Sequence, residues 1–91
     1  MKYLVVRTKR FDRDYKLAKK RGLNLAKLDR IVGLLAMGEK LPASCHDHPL
    51  VGSHIGKREC HVAPDWLLIY RVVENELELF LFRPGTHSDL F

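Results

Sequence analysis

Residues 66–83 read WLLIYRVVENELELFLFR, and the fold turns on how this stretch is divided. WLLIYRVV (66–73) is a nearly continuous apolar run rich in residues that suit a pleated sheet, which makes it a central strand. Glu74-Asn75 supplies a tight turn, although without the glycine that such turns favour. LELFLFR (77–83) then pairs back antiparallel. Upstream, the pattern from Lys57 has period two. KRECHVA (57–63) puts Glu59 and His61 on one face and Arg58, Cys60 and Val62 on the other. Three consecutive strands form an antiparallel meander.

Before the meander the period changes. KYLVVR (2–7) is a first short strand. Thr8 offers an N-cap hydroxyl to the run that follows, in which Phe11, Tyr15 and Ala18 recur at i, i+4 and i+7. Gly22 suits the C′ position that closes this helix. Asn24 is the next N-cap candidate. Leu25, Leu28, Val32 and Leu35, widened by Ile31, predict a second helix ending near Gly38. Two helices on so short a link run antiparallel as a hairpin. Gly33 lies inside the second helix at a cost of about 1 kcal/mol relative to alanine, and is expected to mark close packing. Residues 39–56 have no sustained period and read mainly as loop, and 84–91 (PGTHSDLF) as a turn with one helical turn. The expectation is a single α+β domain over residues 1–91, β-α-α-β-β-β, with the helical hairpin on one face of an antiparallel sheet.

Length and charge narrow the function. Ninety-one residues bury only about 60% of the unfolded surface, enough for one thin core. After Met1-Lys2 the apolar stretch YLVV ends at Arg7, too short for a signal or a membrane span. The reading is a cytoplasmic protein without membrane contact. Residues 1–30 carry eleven Lys/Arg against three Asp, a net of +8, and residues 31–91 carry five Lys/Arg against eight Asp/Glu, a net of −3. A basic half points to a polyanion or an acidic partner.

All five histidines, His46, His48, His54, His61 and His87, lie after position 45. Histidine titrates nearest neutrality and suits proton transfer or metal ligation. Cys45-x2-His48 with Cys60-His61 faintly resembles a zinc set, but Cys60 and His61 are neighbours on a strand and point to opposite faces. The thiols read better as small core fillers, and no metal or other cofactor is expected. No nucleophile elbow, P-loop or dinucleotide fingerprint occurs. What remains is histidine, aspartate, arginine and aromatics gathered over the sheet and the tail. Metal-independent RNA cleavage needs such a set. A base takes the 2′-OH proton, an acid protonates the leaving 5′ oxygen, and a cation offsets charge on the phosphate. The bland alternative is a basic binding module whose histidines are incidental.

At four places the residues match a known pattern: YKLAKKRG (15–22), DHPL (47–50) followed by Gly52, HVAPDWLLIY (61–70) and GTHSDLF (85–91). In this order the chain resembles the YafQ-like branch of the RelE/ParE toxin superfamily, bacterial mRNA interferases of type II toxin–antitoxin pairs. The resemblance implies a RelE-like sheet-and-helix-pair fold and endonucleolytic cleavage of mRNA on the ribosome, with rRNA contacts from the basic helices. It also implies a cognate antitoxin that blocks the toxin. Carried over residue by residue, it assigns His48, His61, Asp65, Arg83 and His87 to catalysis and Trp66 and Phe91 to RNA contact. His87 and either Asp65 or His61 share the acid and base roles, Arg83 stabilises the phosphate and His48 helps position it. Glu59, on the face of His61, is a further carboxylate candidate. Pro84 departs from the pattern by fixing φ and removing an N–H beside Arg83, and His54 stands where an aromatic is often found. The rival readings are a ParE-like toxin that inhibits DNA gyrase and a catalytically silent RNA-binding module.

Overall fold

The computed structural model describes residues 2–64 and 66–84. Its elements are β1 (Leu4–Arg7), α1 (Lys9–Lys20), α2 (Leu25–Ala36), β2 (His48–Pro49), β3 (Arg58–Ala63), β4 (Trp66–Val73) and β5 (Glu76–Pro84), with short 3-10 turns at Ala43–Cys45 and Gly52–His54. The strands form one five-stranded sheet in the order β1-β5-β4-β3-β2. The meander β3-β4-β5 is antiparallel as the alternation predicts, with β4 at its centre. Two features were not legible in the sequence. The stretch read as loop contributes β2, a two-residue edge strand that sets His48 opposite Glu59. The sheet is also mixed and not wholly antiparallel, because β1 lies parallel to β5, with Leu4 opposite Glu76 and Arg7 opposite Leu79. A parallel neighbour needs a crossover of about a dozen residues or more, which the helical hairpin and loop supply.

The helices follow their stripes. Thr8 caps α1 by accepting from Phe11 N at 3.2 Å, and its hydroxyl donates to Phe80 O at 2.7 Å, so the same side chain starts the helix and ties it to β5. Gly22, at φ +73°, ends α1 by letting its own N–H reach Lys19 O and that of Leu23 reach Ala18 O, the paired closure that a left-handed C′ residue permits. Tyr15 Oη donates to Asp29 Oδ1 at 3.1 Å, and burial together with that bond raises the phenol pKa. This contact holds α1 beside α2.

Two expectations fail. Asn24 precedes α2 but makes no side-chain capping bond. Gly33 packs against nothing, since a methyl added there meets no atom within 4 Å. The residue faces solvent, so its backbone entropy is not recovered by contact. Gly33→Ala is expected to raise stability by about 1 kcal/mol, read as a higher urea midpoint with an unchanged slope.

The main core lies between the helices and one sheet face. Phe11, Ala18, Leu28, Ile31 and Leu35 meet Cys60, Val62, Leu68, Tyr70, Leu77 and Leu79 there. Cys45 and Cys60 are both buried free thiols in this core, as expected of small fillers. The opposite face carries a smaller cluster of Leu67 and Ile69 with Leu50 and Phe80. Strand β4 is thus buried on both sides, which is why it reads as a continuous apolar run. Among the described residues no helix is long and apolar enough to cross a membrane.

Candidate active site

The sheet face away from the helices holds the candidate residues of β2 and β3. On β3, Glu59 is fully buried although it is a carboxylate, a costly placement unless the charge is partnered. His48, directly across on β2, meets it with Nε2 3.0 Å from Oε1. The other ring nitrogen, Nδ1, lies 3.1 Å from Pro49 O. A carbonyl oxygen only accepts, so Nδ1 carries the hydrogen on that side. Both nitrogens of His48 are engaged, so the orientation of the ring is set by its partners.

Two residues along β3, His61 shares the face of Glu59. Its ring lies edge-to-face with that of His46, centroids 5.6 Å apart at 79°. Across the sheet His61 pairs with Leu67, and Leu67 pairs with Arg83. The backbones of His61 and Arg83 therefore stand two strand spacings apart, about 10 Å. This alignment depends on a register shift between Ile69 and Tyr70, where Tyr70 pairs with Leu79 but Ile69 with Leu81. A second shift between His61 and Ala63 bends β3 just past the histidine. Bulges of this kind re-aim side chains beside active sites.

The seven residues proposed from sequence thus fall into three groups. His48, His61 and the backbone of Arg83 lie at one region of the open face. Trp66 lies elsewhere, partly buried against the main core beneath the helices. Asp65, His87 and Phe91 lie outside the described residues.

Behind His48 sits an anchor that sequence reasoning missed. Tyr70 Oη, buried under the helices, donates to Asp47 Oδ1 at 2.5 Å, and Arg58 Nε donates to the same oxygen at 3.3 Å. The aspartate of DHPL therefore fixes the backbone that presents the adjacent histidine. Its place in the motif was a signal, but its partner is 23 positions away. Burial, then the bond to Asp47, raises the Tyr70 pKa, and burial raises that of the Cys60 thiol. The folded chain keeps these protons where the unfolded chain releases them, above the ordinary values of 9.0 and 10.0. Stability is therefore expected to hold below those values and fall as pH rises through them. Thermal midpoints measured across the alkaline range test this, and Cys60→Ala with Tyr70→Phe should flatten the decline.

The same open face is cationic further along. Phe80 lies beneath Lys57 Nζ at 4.6 Å and Arg71 Cζ at 5.3 Å from its ring centroid, while Arg71 also pairs with Glu78 at 2.9 Å. Such a surface attracts an anionic chain.

Comparison with known proteins bears on the chemistry. The sequence profile of a family described as "Bacterial toxin of type II toxin-antitoxin system, YafQ" matches residues 3–91. The mRNA interferase toxin YafQ of Escherichia coli strain K12 is 44% identical over 82 residues, which cover 89% of this chain and 87% of that protein. The crystal structure of YafQ from E. coli strain BL21(DE3) superposes with a TM-score of 0.87 at 38% identity, covering 98% of each chain. A chain of the E. coli DinJ–YafQ toxin–antitoxin complex superposes with a TM-score of 0.85 at 38% identity, covering 100% of this chain and 99% of that one.

Proposed function

Because the chain belongs to the YafQ family of bacterial toxins of type II toxin–antitoxin systems, we propose that it is an endoribonuclease that cuts mRNA on the ribosome. It acts in the cytoplasm as one domain and is silenced by a cognate antitoxin. The observation that carries this reading is the pairing of His48 with the buried Glu59 beside His61. Inhibition by occupancy alone has no use for an imidazole held on a desolvated carboxylate, so a gyrase inhibitor or a silent binding module fits less well. The E. coli relative bears the name mRNA interferase, and the DinJ–YafQ complex supports an antitoxin as partner.

In the proposed reaction the 2′ oxygen attacks the adjacent phosphorus as its proton passes to a base, Asp65 or His61. The bond to the 5′ oxygen breaks, and His87 supplies the proton that leaves with it. Arg83 donates to the phosphate oxygens as charge builds, His48 holds the phosphate in line, and Trp66 and Phe91 contact the RNA. No metal enters. The lysines and arginines of α1 and α2 engage rRNA, so binding to the ribosome weakens steeply with salt.

The test is to induce the wild-type chain and a His87→Ala variant, follow growth and map mRNA 5′ ends. The expected result is growth arrest with new 5′ ends from the wild type and neither from the variant. Wild-type toxicity without new ends would sink the nuclease reading, and equal cleavage by both chains would remove His87 from its role.

A further inference from the structure

Beside His61 the surface opens into a concavity of about 420 Å³ whose other walls have no role above. We propose that it is a nucleotide subsite, holding the base and phosphate of an RNA residue that flanks the scissile bond. The proposal rests on the RNA-cleaving reading and names where part of that substrate sits.

Four observations carry it. The volume falls in the range of about 300–1,000 Å³ typical of small-ligand sites. Its walls include Lys27 from α2, Ser44 from the 3-10 turn before β2 and His46 just after it, His61 and Ala63 from the end of β3, and Pro64 just beyond. Among them Lys27 offers an ammonium and Ser44 a hydroxyl to an anion. His61 belongs both to this wall and to the catalytic face, so a nucleotide here is contiguous with the scissile phosphate.

The conformation of His46 is the most informative of these features. Its backbone is left-handed, φ 49° and ψ 44°, a region that few non-glycine residues adopt and that persists where surrounding structure enforces it. From this position its ring lies edge-to-face with that of His61. Set nearly at right angles, the two imidazoles leave a ring face for a base to stack on and ring nitrogens for its polar edge. Lys27 and Ser44 then take the phosphate.

The test uses the full chain with histidine rings labelled for NMR, titrated with adenosine 3′-monophosphate, uridine 3′-monophosphate and inorganic phosphate. The His46 and His61 ring signals are expected to move together and saturate with the nucleotides, with inorganic phosphate binding more weakly. Lys27→Gln and His46→Gly should each weaken nucleotide binding about tenfold, the loss of one charged or stacking contact. Glycine suits the left-handed backbone at position 46, so that variant deletes the ring without disturbing the turn. On programmed ribosomes His46→Gly should raise KM or shift the codons cut, with kcat little changed. An unmoved His46 signal, or variants that bind as tightly as wild type, overturns the subsite even if the wild type cuts mRNA. Saturable binding through His46 by a chain that cuts no mRNA upholds the subsite and overturns the nuclease reading alone.

Discussion

Replacing Glu59 by leucine is expected to lower mRNA cleavage about 100-fold, the cost of misplacing a positioned group by about an ångström, while leaving the protein as stable or more so. The two effects have opposite signs for one reason. Glu59 is fully buried, and a desolvated carboxylate contributes less to folding than an apolar side chain of similar size. What it contributes is orientation, since the 3.0 Å contact with His48 Nε2 holds a ring that is otherwise 44% exposed on its side chain. Leucine fills the space and releases the ring. Glu59→Gln keeps a polar oxygen at the same reach and should fall between wild type and leucine. His48→Ala should match the Glu59→Leu loss, and the double variant should be no worse than either, as for residues acting as a unit. Single-turnover cleavage on programmed ribosomes and urea unfolding of the same proteins provide the two readouts. Full cleavage by Glu59→Leu, or additive losses in the double variant, would show that the pair does not act through His48.

Asp47→Ala carries the largest expected loss of stability, about 3 kcal/mol. One carboxylate oxygen accepts from both Tyr70 Oη and Arg58 Nε. Removing it leaves a hydroxyl at 2% residue exposure without its acceptor, and an orphaned buried donor costs about 1–3 kcal/mol. The second donor, Arg58, loses its partner as well. A double-mutant cycle with Tyr70→Phe isolates the bond. The phenylalanine removes the orphaned hydroxyl, so the double variant should be at least as stable as Asp47→Ala alone. Independent, additive effects would mean that the bond is not energetically linked. The loss should also reach the chemistry, because Asp47 precedes His48 and fixes the two-residue strand that sets it opposite Glu59.

The local structure of this protein was legible because local physics governs it. The apolar stripe at helical spacing, the hydroxyl of Thr8 and the glycine at position 22 fix where α1 begins and ends. Alternation along β3 places Glu59 and His61 together without any knowledge of the sheet. The candidate proton carriers and arginine rest on residue types together with the family resemblance. Gly33 and Asn24 mislead because each has a common structural use that this helix does not require.

The tertiary structure decided what depends on residues far apart in the chain. Nothing local says that β1 joins β5 in parallel, that Tyr70 reaches back to Asp47, or that a two-residue strand brings His48 onto Glu59. Arg83 is the sharpest case. Counted by twos from Leu77 and Leu79, which are buried in the main core, Arg83 falls in their register and belongs beneath the helices. The shift between Ile69 and Tyr70 instead sets the backbone of Arg83 opposite Leu67, which pairs in turn with His61. A one-residue slip exchanges the two faces of a strand, and pairing across the sheet, not the strand's own sequence, makes that slip.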